Sequence, residues 1–375
     1  ERQANTHFNP LTYADIKTIA DHLHWQGANP WAGNNRSDSM GGGHAHCGLM
    51  VYLGGAWPEK YHNQLFMGNI HGRRLNMDVL KPKGSGYVAS HGPDFLMAND
   101  AWARFINMRY GPDGNVYLLD WYDKQACHSG DTKIWDRSNG RIYKVCFRGT
   151  KWEKVDLAKK SSEELFQLQA DRNDWYVRHA RRLLQERGSR NPKLFDEVSR
   201  LLHPARFAEL PAKQELRQRL WALHVLVPKE QRGWWQKRCL ATADGHLDAH
   251  VRAWAIQLAV ETMTTKEADE ATFFFHNLAL DASPVVRLYM ASAMQRVSFE
   301  DKGLVLKRLL SHAEDNTDHN LPLMYWYAAE PLADADAKKA LDLALDSKID
   351  IILPFMTRRI ASSAKAEDLA LVLDC

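Results

Sequence analysis

The spacing of apolar positions changes character near residue 150. Before it, apolar residues come in short runs broken by turn-forming pairs, which predicts strands over Leu49–Leu53, Gln64–Asn69, Arg74–Leu80, Phe105–Tyr110, Val116–Trp121 and Arg141–Phe147. Gly54-Gly55, Gly72 and Gly111-Pro112-Asp113-Gly114 punctuate them. The last is a turn with a mechanism, because Pro presets φ and Gly supplies a position that needs φ > 0. Short antiparallel strands at near-regular spacing fit a sandwich, a barrel or a propeller, and periodicity does not choose among these.

Beyond residue 150 glycine nearly vanishes and helical spacing takes over. Asp174-Trp-Tyr-Val-Arg178-His-Ala180, His250-Val-Arg252-Ala-Trp-Ala255 and Ser283-Pro-Val-Val-Arg287-Leu share one plan: a capping residue or its neighbour, then Val-Arg, then small apolar residues. Glu215–Val227 fits between the first two, with Leu216, Leu220, Leu223 and Val227 on one face, and Pro322–Leu332 and Ile351–Ile360 read as weaker copies. A unit of roughly 33–41 residues suits paired helices stacked as HEAT or armadillo repeats, since each pair needs its neighbours to complete a core. An irregular helical domain is the alternative. In the repeat reading Arg178, Arg252 and Arg287 are structural and bond the neighbouring repeat's acid or backbone. Trp175, Trp221, Trp254 and Trp326 are read as core, and Trp234-Trp235 beside Lys237-Arg238 as an exposed anchor only at the margin.

Composition narrows the class. The chain has 45% hydrophobic and 25% charged residues, the balance of a globular protein. A formal charge of +3 is too mild, and too scattered, to predict a nucleic-acid partner. No stretch approaches 18 uninterrupted apolar residues, so no membrane span is expected in this segment. Glu1 is no initiator Met and Cys375 closely follows the helix-like run Glu367–Leu373, so both ends read as cut and the chain as a fragment. The five cysteines form no Cys-x-x-Cys pair, no zinc spacing and no haem-attachment motif.

A set of motifs between His22 and Arg148 carries more. These are Ala20-Asp-His-Leu-His24, Gly41-Gly-Gly-His-Ala-His-Cys-Gly48, Trp57-Pro-Glu-Lys-Tyr61, Leu65-Phe-Met-Gly-Asn-Ile-His-Gly-Arg73, Tyr110-Gly-Pro-Asp-Gly-Asn-Val-Tyr-Leu-Leu-Asp-Trp-Tyr122 and Asp136-Arg-Ser-Asn-Gly-Arg-Ile-Tyr143. In order and spacing they resemble the membrane-bound dehydrogenase family of bacteria, a branch of the glucose/sorbosone quinoprotein dehydrogenase propellers. The resemblance implies that residues 1–150 are the C-terminal blades of a sorbosone-dehydrogenase-like β-propeller. It implies that residues 151–375 are HEAT-like α-helical repeats, with a c-type cytochrome domain beyond. Family propellers have roughly six blades of four strands, so the strands read here would make about two.

In that superfamily, Lys and Arg hold pyrroloquinoline quinone, a tricarboxylate, at the propeller mouth, and a His takes the substrate hydroxyl proton as hydride passes to the quinone. The family's catalytic His lies in an earlier blade, so the resemblance places none in this chain. Its Lys or Arg after the strand matching Leu65–Asn69 is here His71, and its Arg-x-Arg pair is here Arg104 with Ile106. That exchange removes fixed positive charge. The candidate cofactor-binding residues are therefore Arg104, His71, His46, His44 and Asp120. His44 and His46 flank Ala45 and, in a strand, would share a face; the reading in which they bond loop carbonyls is preferred to a metal site, which wants further ligands. Asp120, Asp123, Cys127, His128 and Asp131 share a strand end and a long loop, read as solvated in preference to functional. Asp113 and Asp136 read as turn and cap residues.

The expectation is thus an exported, periplasmic or extracellular oxidoreductase that oxidises a sugar or alcohol, of polysaccharide origin, and passes electrons to a c-type cytochrome domain or protein outside this chain. The rivals are a catalytically degenerate propeller that binds polysaccharide or a protein partner, supported by His71 and Ile106, and a HEAT scaffold capped by a propeller.

Overall fold

The computed structural model describes residues 46–70, 72–125, 130–152, 154–202, 213–296, 302–363 and 365–373. A β-rich N-terminal region is followed by a helical C-terminal region, and the chain separates into two compact units. Of the described residues, the β unit takes in those up to Lys81, those within Tyr87–Lys160 and Asp171–Ala180; the helical unit takes in Pro82–Gly86, Ser161–Ala170 and those from Arg181 onward. No described helix is long and apolar enough to cross a membrane.

The β unit holds two antiparallel sheets. One has the order β1 (His46–Val51), β2 (Leu65–Asn69), β3 (Arg74–Lys83), β4 (Gly86–His91), with the two-residue β5 (Leu96–Met97) also on β3. The other has the order β6 (Phe105–Tyr110), β7 (Val116–Asp120), β8 (Arg141–Val145). Six of these strands stand where the apolar runs predict them. β4 and β5 are additions, with no counterpart among the predicted strands, and β3 runs on from Leu80 to Lys83. Neither sheet closes on itself among the described residues.

The two sheets pack on one another where glycines remove side chains. A Cβ on Gly68 would stand 2.0 Å from the Phe105 carbonyl oxygen, and one on Gly48, at φ +62°, would stand 2.6 Å from the Asn107 Cα. Between the sheets lies one core that includes Met50, Tyr52, Trp57, Phe66, Leu75, Phe105, Met108 and Leu118. Each large apolar side chain fully buried there is worth about 1.5–3 kcal/mol relative to exposure. Tyr52 also organises the chain around it: its hydroxyl donates to the Gly114 carbonyl (2.8 Å) and accepts from the Ala56 and Trp57 amides (2.9 and 2.8 Å). Asp113 is a turn residue, accepting from the Asn115 amide (3.2 Å), and Asp136 accepts from the Ser138 amide (2.9 Å), as expected from sequence.

The helical segments are α1 (Ser162–Gln167), α2 (Asp174–Gly188), α3 (Leu194–Ser199), α4 (Lys213–His224), α5 (Arg232–Gly245), α6 (Ala249–Val260), α7 (Thr265–Glu270), α8 (Thr272–Leu278), α9 (Pro284–Met294), α10 (Lys302–Leu309), α11 (Leu321–Ala329), α12 (Leu332–Ala335), α13 (Ala337–Asp346), α14 (Ile352–Ala361) and α15 (Ala366–Leu373). In the helical unit α4, α6, α9, α11 and α14 each pack on the next, while α5, α8, α10 and α13 form a second such succession against them. The interior position of α6 explains why it is apolar nearly all round, with Val251, Ala253, Ala255, Ile256, Leu258, Ala259 and Val260 buried. Asp248 caps its start, accepting from the His250 and Val251 amides (both 3.0 Å). In α4, Leu216, Leu220 and Leu223 are buried as expected, but the helix stops at His224 and Leu226, not Val227, takes the next buried place.

Two of the three motif arginines behave as repeat residues. Arg252 pairs with Asp281 (2.7 Å) and Arg287 with Asp315 (2.5 Å), each acid lying in the segment that follows. Arg178 does not. It pairs with Asp174 in its own helix (2.7 Å) and donates to the Tyr110 hydroxyl (2.6 Å), so its copy of the motif belongs to the β unit. Of the tryptophans read as core, Trp175 packs against the core of the β unit, and it, Trp221, Trp254 and Trp326 are half-buried; Trp235 is buried, and its Nε1 donates to His224 Nδ1 (3.0 Å).

Candidate functional site

Register brings polar residues to one end of both sheets. His46 opens β1 opposite Asn69, which closes β2 opposite Arg74 at the start of β3. Phe105 opens β6 opposite Asp120, which closes β7 opposite Arg141 at the start of β8. The Cys47 thiol reaches the Phe105 carbonyl (3.4 Å), so the two strand ends adjoin. Three sequence candidates, His46, Arg104 and Asp120, therefore share this end. His46 is exposed there, whereas Arg104 and Asp120 are 2% and 1% exposed. His44 and His71 lie outside the described residues, as do Cys127 and His128.

Arg104 is built into the chain. Its amide donates to Asp120 Oδ1 (2.6 Å), which also accepts from the Tyr122 amide (3.0 Å), and its carbonyl accepts from the Trp121 amide (3.0 Å). Its guanidinium turns inward: Nη1 donates to the Ala103 carbonyl (2.7 Å) and Nη2 to the Lys124 carbonyl (3.3 Å). Burial and the neighbouring Arg73 pull its pKa below the ordinary arginine value, while Asp120, Asp123 and Asp100 act in the opposite sense. Asp123 closes the adjoining loop by accepting from the Gln125 and Asp136 amides (2.8 and 3.3 Å). Asp120 and Asp123 are thus buried loop-organising acids and not solvated ones. At the rim, the Arg141 guanidinium lies over the Tyr122 ring, which faces Trp102 at 5.7 Å.

A second cluster was not visible in the sequence. Asn69 Oδ1 accepts from the Gly72 amide (2.7 Å) and its Nδ2 donates to Asn76 Oδ1 (3.1 Å). Arg74 donates from Nε to the Gly72 carbonyl (3.1 Å) and from Nη1 to Asp94 Oδ2 (2.7 Å). His91 stands between two acids, with Nδ1 3.4 Å from Asp78 and Nε2 3.6 Å from Asp94. Arg74, Asn76 and Asp78 alternate along β3, a pattern that reads as a solvent face. Here both faces are buried, because Leu75 and Met77 between them are buried as well. The available signal was that alternation followed by the Asp94 side of the β4–β5 connection.

Pyrroloquinoline quinone would need outward-facing cations for its three carboxylates. Arg74 and Arg104 instead spend donors on Asp94 and on backbone carbonyls, although the buried Arg104 Nε has no partner, and Arg104 has Arg73 as well as Asp120, Asp123 and Asp100 around it. At Arg104 this arrangement does not fit a bound tricarboxylate. Among the described residues no group of three or more His, Cys, Asp or Glu is disposed to hold a metal ion. What the end offers is a rigid, hydrogen-bonded wall with His46, Arg141 and Tyr122 at its rim.

No curated protein matches the chain. Residues 2–149, the stretch that contains both sheets and this polar end, match a family described as a domain of unknown function (DUF7133).

Proposed function

We propose that the β unit represents closing blades of a glucose/sorbosone-dehydrogenase-type propeller, followed by HEAT-type repeats, in an exported oxidoreductase. In this reading the whole protein oxidises a sugar or alcohol and hands electrons to a c-type cytochrome domain or protein. Support comes from one observation above others: two antiparallel meanders packed face to face through Gly48 and Gly68, with their polar strand ends together. Adjacent propeller blades pack in this way and gather their loops at a common mouth. The alternating succession of helices with Arg252–Asp281 and Arg287–Asp315 between neighbours supports the repeat half. Since Arg104 is committed internally, these blades supply mouth wall, and quinone binding and proton abstraction fall to other blades.

The test is dye-linked oxidation of aldoses, sorbosone and simple alcohols by full-length protein reconstituted with pyrroloquinoline quinone. Turnover is expected. Absence of both quinone binding and dye reduction would remove the enzyme reading and leave the second one, a degenerate propeller that binds without turnover. Arg104 and its acidic surroundings favour that second reading.

A further inference from the structure

We propose that the helical unit binds a small monocarboxylate at α4, between Arg181, Arg217 and Trp221. Arg217 and Trp221 stand one turn apart on α4 and so share a face. The Arg181 guanidinium lies over the Trp221 ring, 5.0 Å from its centre. All three side chains are half-buried. Arg181 is anchored: its Nε and Nη2 donate to Gln169 Oε1 (both 3.3 Å), and Nη2 also to Gln218 Oε1. Arg217 is not. Among the described residues its side chain takes part in no hydrogen bond or ion pair, although its Nε is buried. The Trp221 indole nitrogen is likewise buried without an acceptor. Acids on the adjoining turns are already engaged, Glu215 by Arg219 and Glu261 by His224. Buried donors without acceptors are costly and rare, so two on one helix face call for an absent partner.

Chemistry narrows that partner. A guanidinium Nε–H and an indole N–H only donate, so the missing group must accept. Arg217 carries a full charge with no counter-ion, and an anion meets it better than an amide or a hydroxyl does. The Nε edge of a guanidinium and its neighbouring Nη form a fork that matches the two oxygens of a carboxylate. One uncommitted cation balances one negative charge, whereas a phosphate group brings roughly −1.5 to −2. Trp254 meets Trp221 edge to face at 4.6 Å and is half-buried. It offers apolar surface beside the fork for the body that carries the carboxylate. The site lies wholly in the helical unit and does not depend on the sugar oxidation proposed for the whole protein.

The experiment is a titration of the full chain with sodium butyrate at fixed ionic strength, followed by saturation-transfer NMR on the butyrate protons. Butyramide and inorganic phosphate are added as competitors. Wild type should bind butyrate saturably, butyramide should not displace it, and phosphate should do so only at higher concentration. Arg217→Gln should weaken binding at least tenfold and leave the melting temperature unchanged or raised, because no bond within the protein is lost. Trp221→Phe keeps a ring beneath Arg181 but removes the N–H, and should weaken binding two- to fivefold. Arg182→Gln alters a 67%-exposed guanidinium next to Arg181 and should leave binding unchanged. The proposal is overturned if butyrate fails to saturate, or if butyramide or phosphate displaces it at equal concentration. Equal losses in the Arg182 and Arg217 variants would also overturn it, since general positive charge would then explain the binding.

Discussion

Arg287 and Asp315 meet in a two-pronged, buried ion pair, with Nε donating to Oδ2 at 2.8 Å and the Tyr325 hydroxyl donating to the same oxygen at 2.6 Å. Removing one partner leaves the other charged and dry, so Arg287→Ala should destabilise the helical unit by about 3–5 kcal/mol in urea unfolding followed by tryptophan fluorescence. Arg287→Lys should recover only part of this, because an ammonium lacks the fork. Arg178→Ala, by contrast, removes a 54%-exposed side chain and should cost less than about 1 kcal/mol. Equal effects at the two positions would contradict the assignment of Arg178 to a different role.

Tyr52→Phe should cost about 1–3 kcal/mol despite being nearly isosteric. It leaves the Ala56 and Trp57 amides and the Gly114 carbonyl without their shared hydroxyl. Thermal unfolding monitored in the far ultraviolet checks this. An unchanged melting temperature would mean that water replaces the hydroxyl.

Gly68→Ala tests the packing of the two sheets. The added methyl would meet backbone, not a movable side chain, at Phe105. A loss of at least about 1–3 kcal/mol is expected, with a larger loss at Gly48 because its φ of +62° adds backbone strain. Denaturant titration with both variants ranks them.

Asp113 supplies a pH signature. Burial pushes its carboxyl up, but the ion pair with Lys144 and the bonds from Asn115 outweigh burial and hold it below the ordinary value of 3.8. A group depressed in the folded state contributes stability above its unfolded pKa and loses it as pH falls through the folded value. Stability should therefore decline on acidification below 3.8, and Asp113→Asn should flatten that part of the profile. Urea midpoints across an acid series measure it.

Arg104→Met separates a brace from a ligand. As a brace, Arg104 gives up two carbonyl bonds, so the variant should lose on the order of 2 kcal/mol while quinone titration of the full-length protein is unaltered. Tenfold weaker quinone binding at an unchanged melting temperature would instead make Arg104 a cofactor residue.

The strands were legible because turn chemistry bounds them: Pro112-Asp113-Gly114 and Gly72 mark where β6 and β2 must stop. β4 was not, since Pro82 within β3 argues against a strand that continues into a hairpin there. At the polar end the sequence singled out Arg104 and Asp120 but not how they are used. Their partners are an amide sixteen residues away and the Lys124 carbonyl, which no side-chain pattern records. Asn69, Asn76 and Asp78 stayed hidden for a related reason, because a polar residue on a strand looks the same whether water or another side chain satisfies it. Arg178 shows the limit most sharply. It shares a motif with Arg252 and Arg287, yet Tyr110, 68 residues earlier, decides its role.

The arginine links also give the helical unit a polarity along its length. Asp281 takes the Arg252 guanidinium on its side chain and the Arg287 Nη1 on its own carbonyl (2.7 Å), so one residue joins two successive clasps. Each clasp is completed only by the segment downstream of it. Trimming the array from its C-terminal side, to a point between Arg252 and Asp281 or between Arg287 and Asp315, will therefore strand a guanidinium at the new end. Trimming from the N-terminal side strands only a carboxylate, which water solvates readily at an exposed terminus.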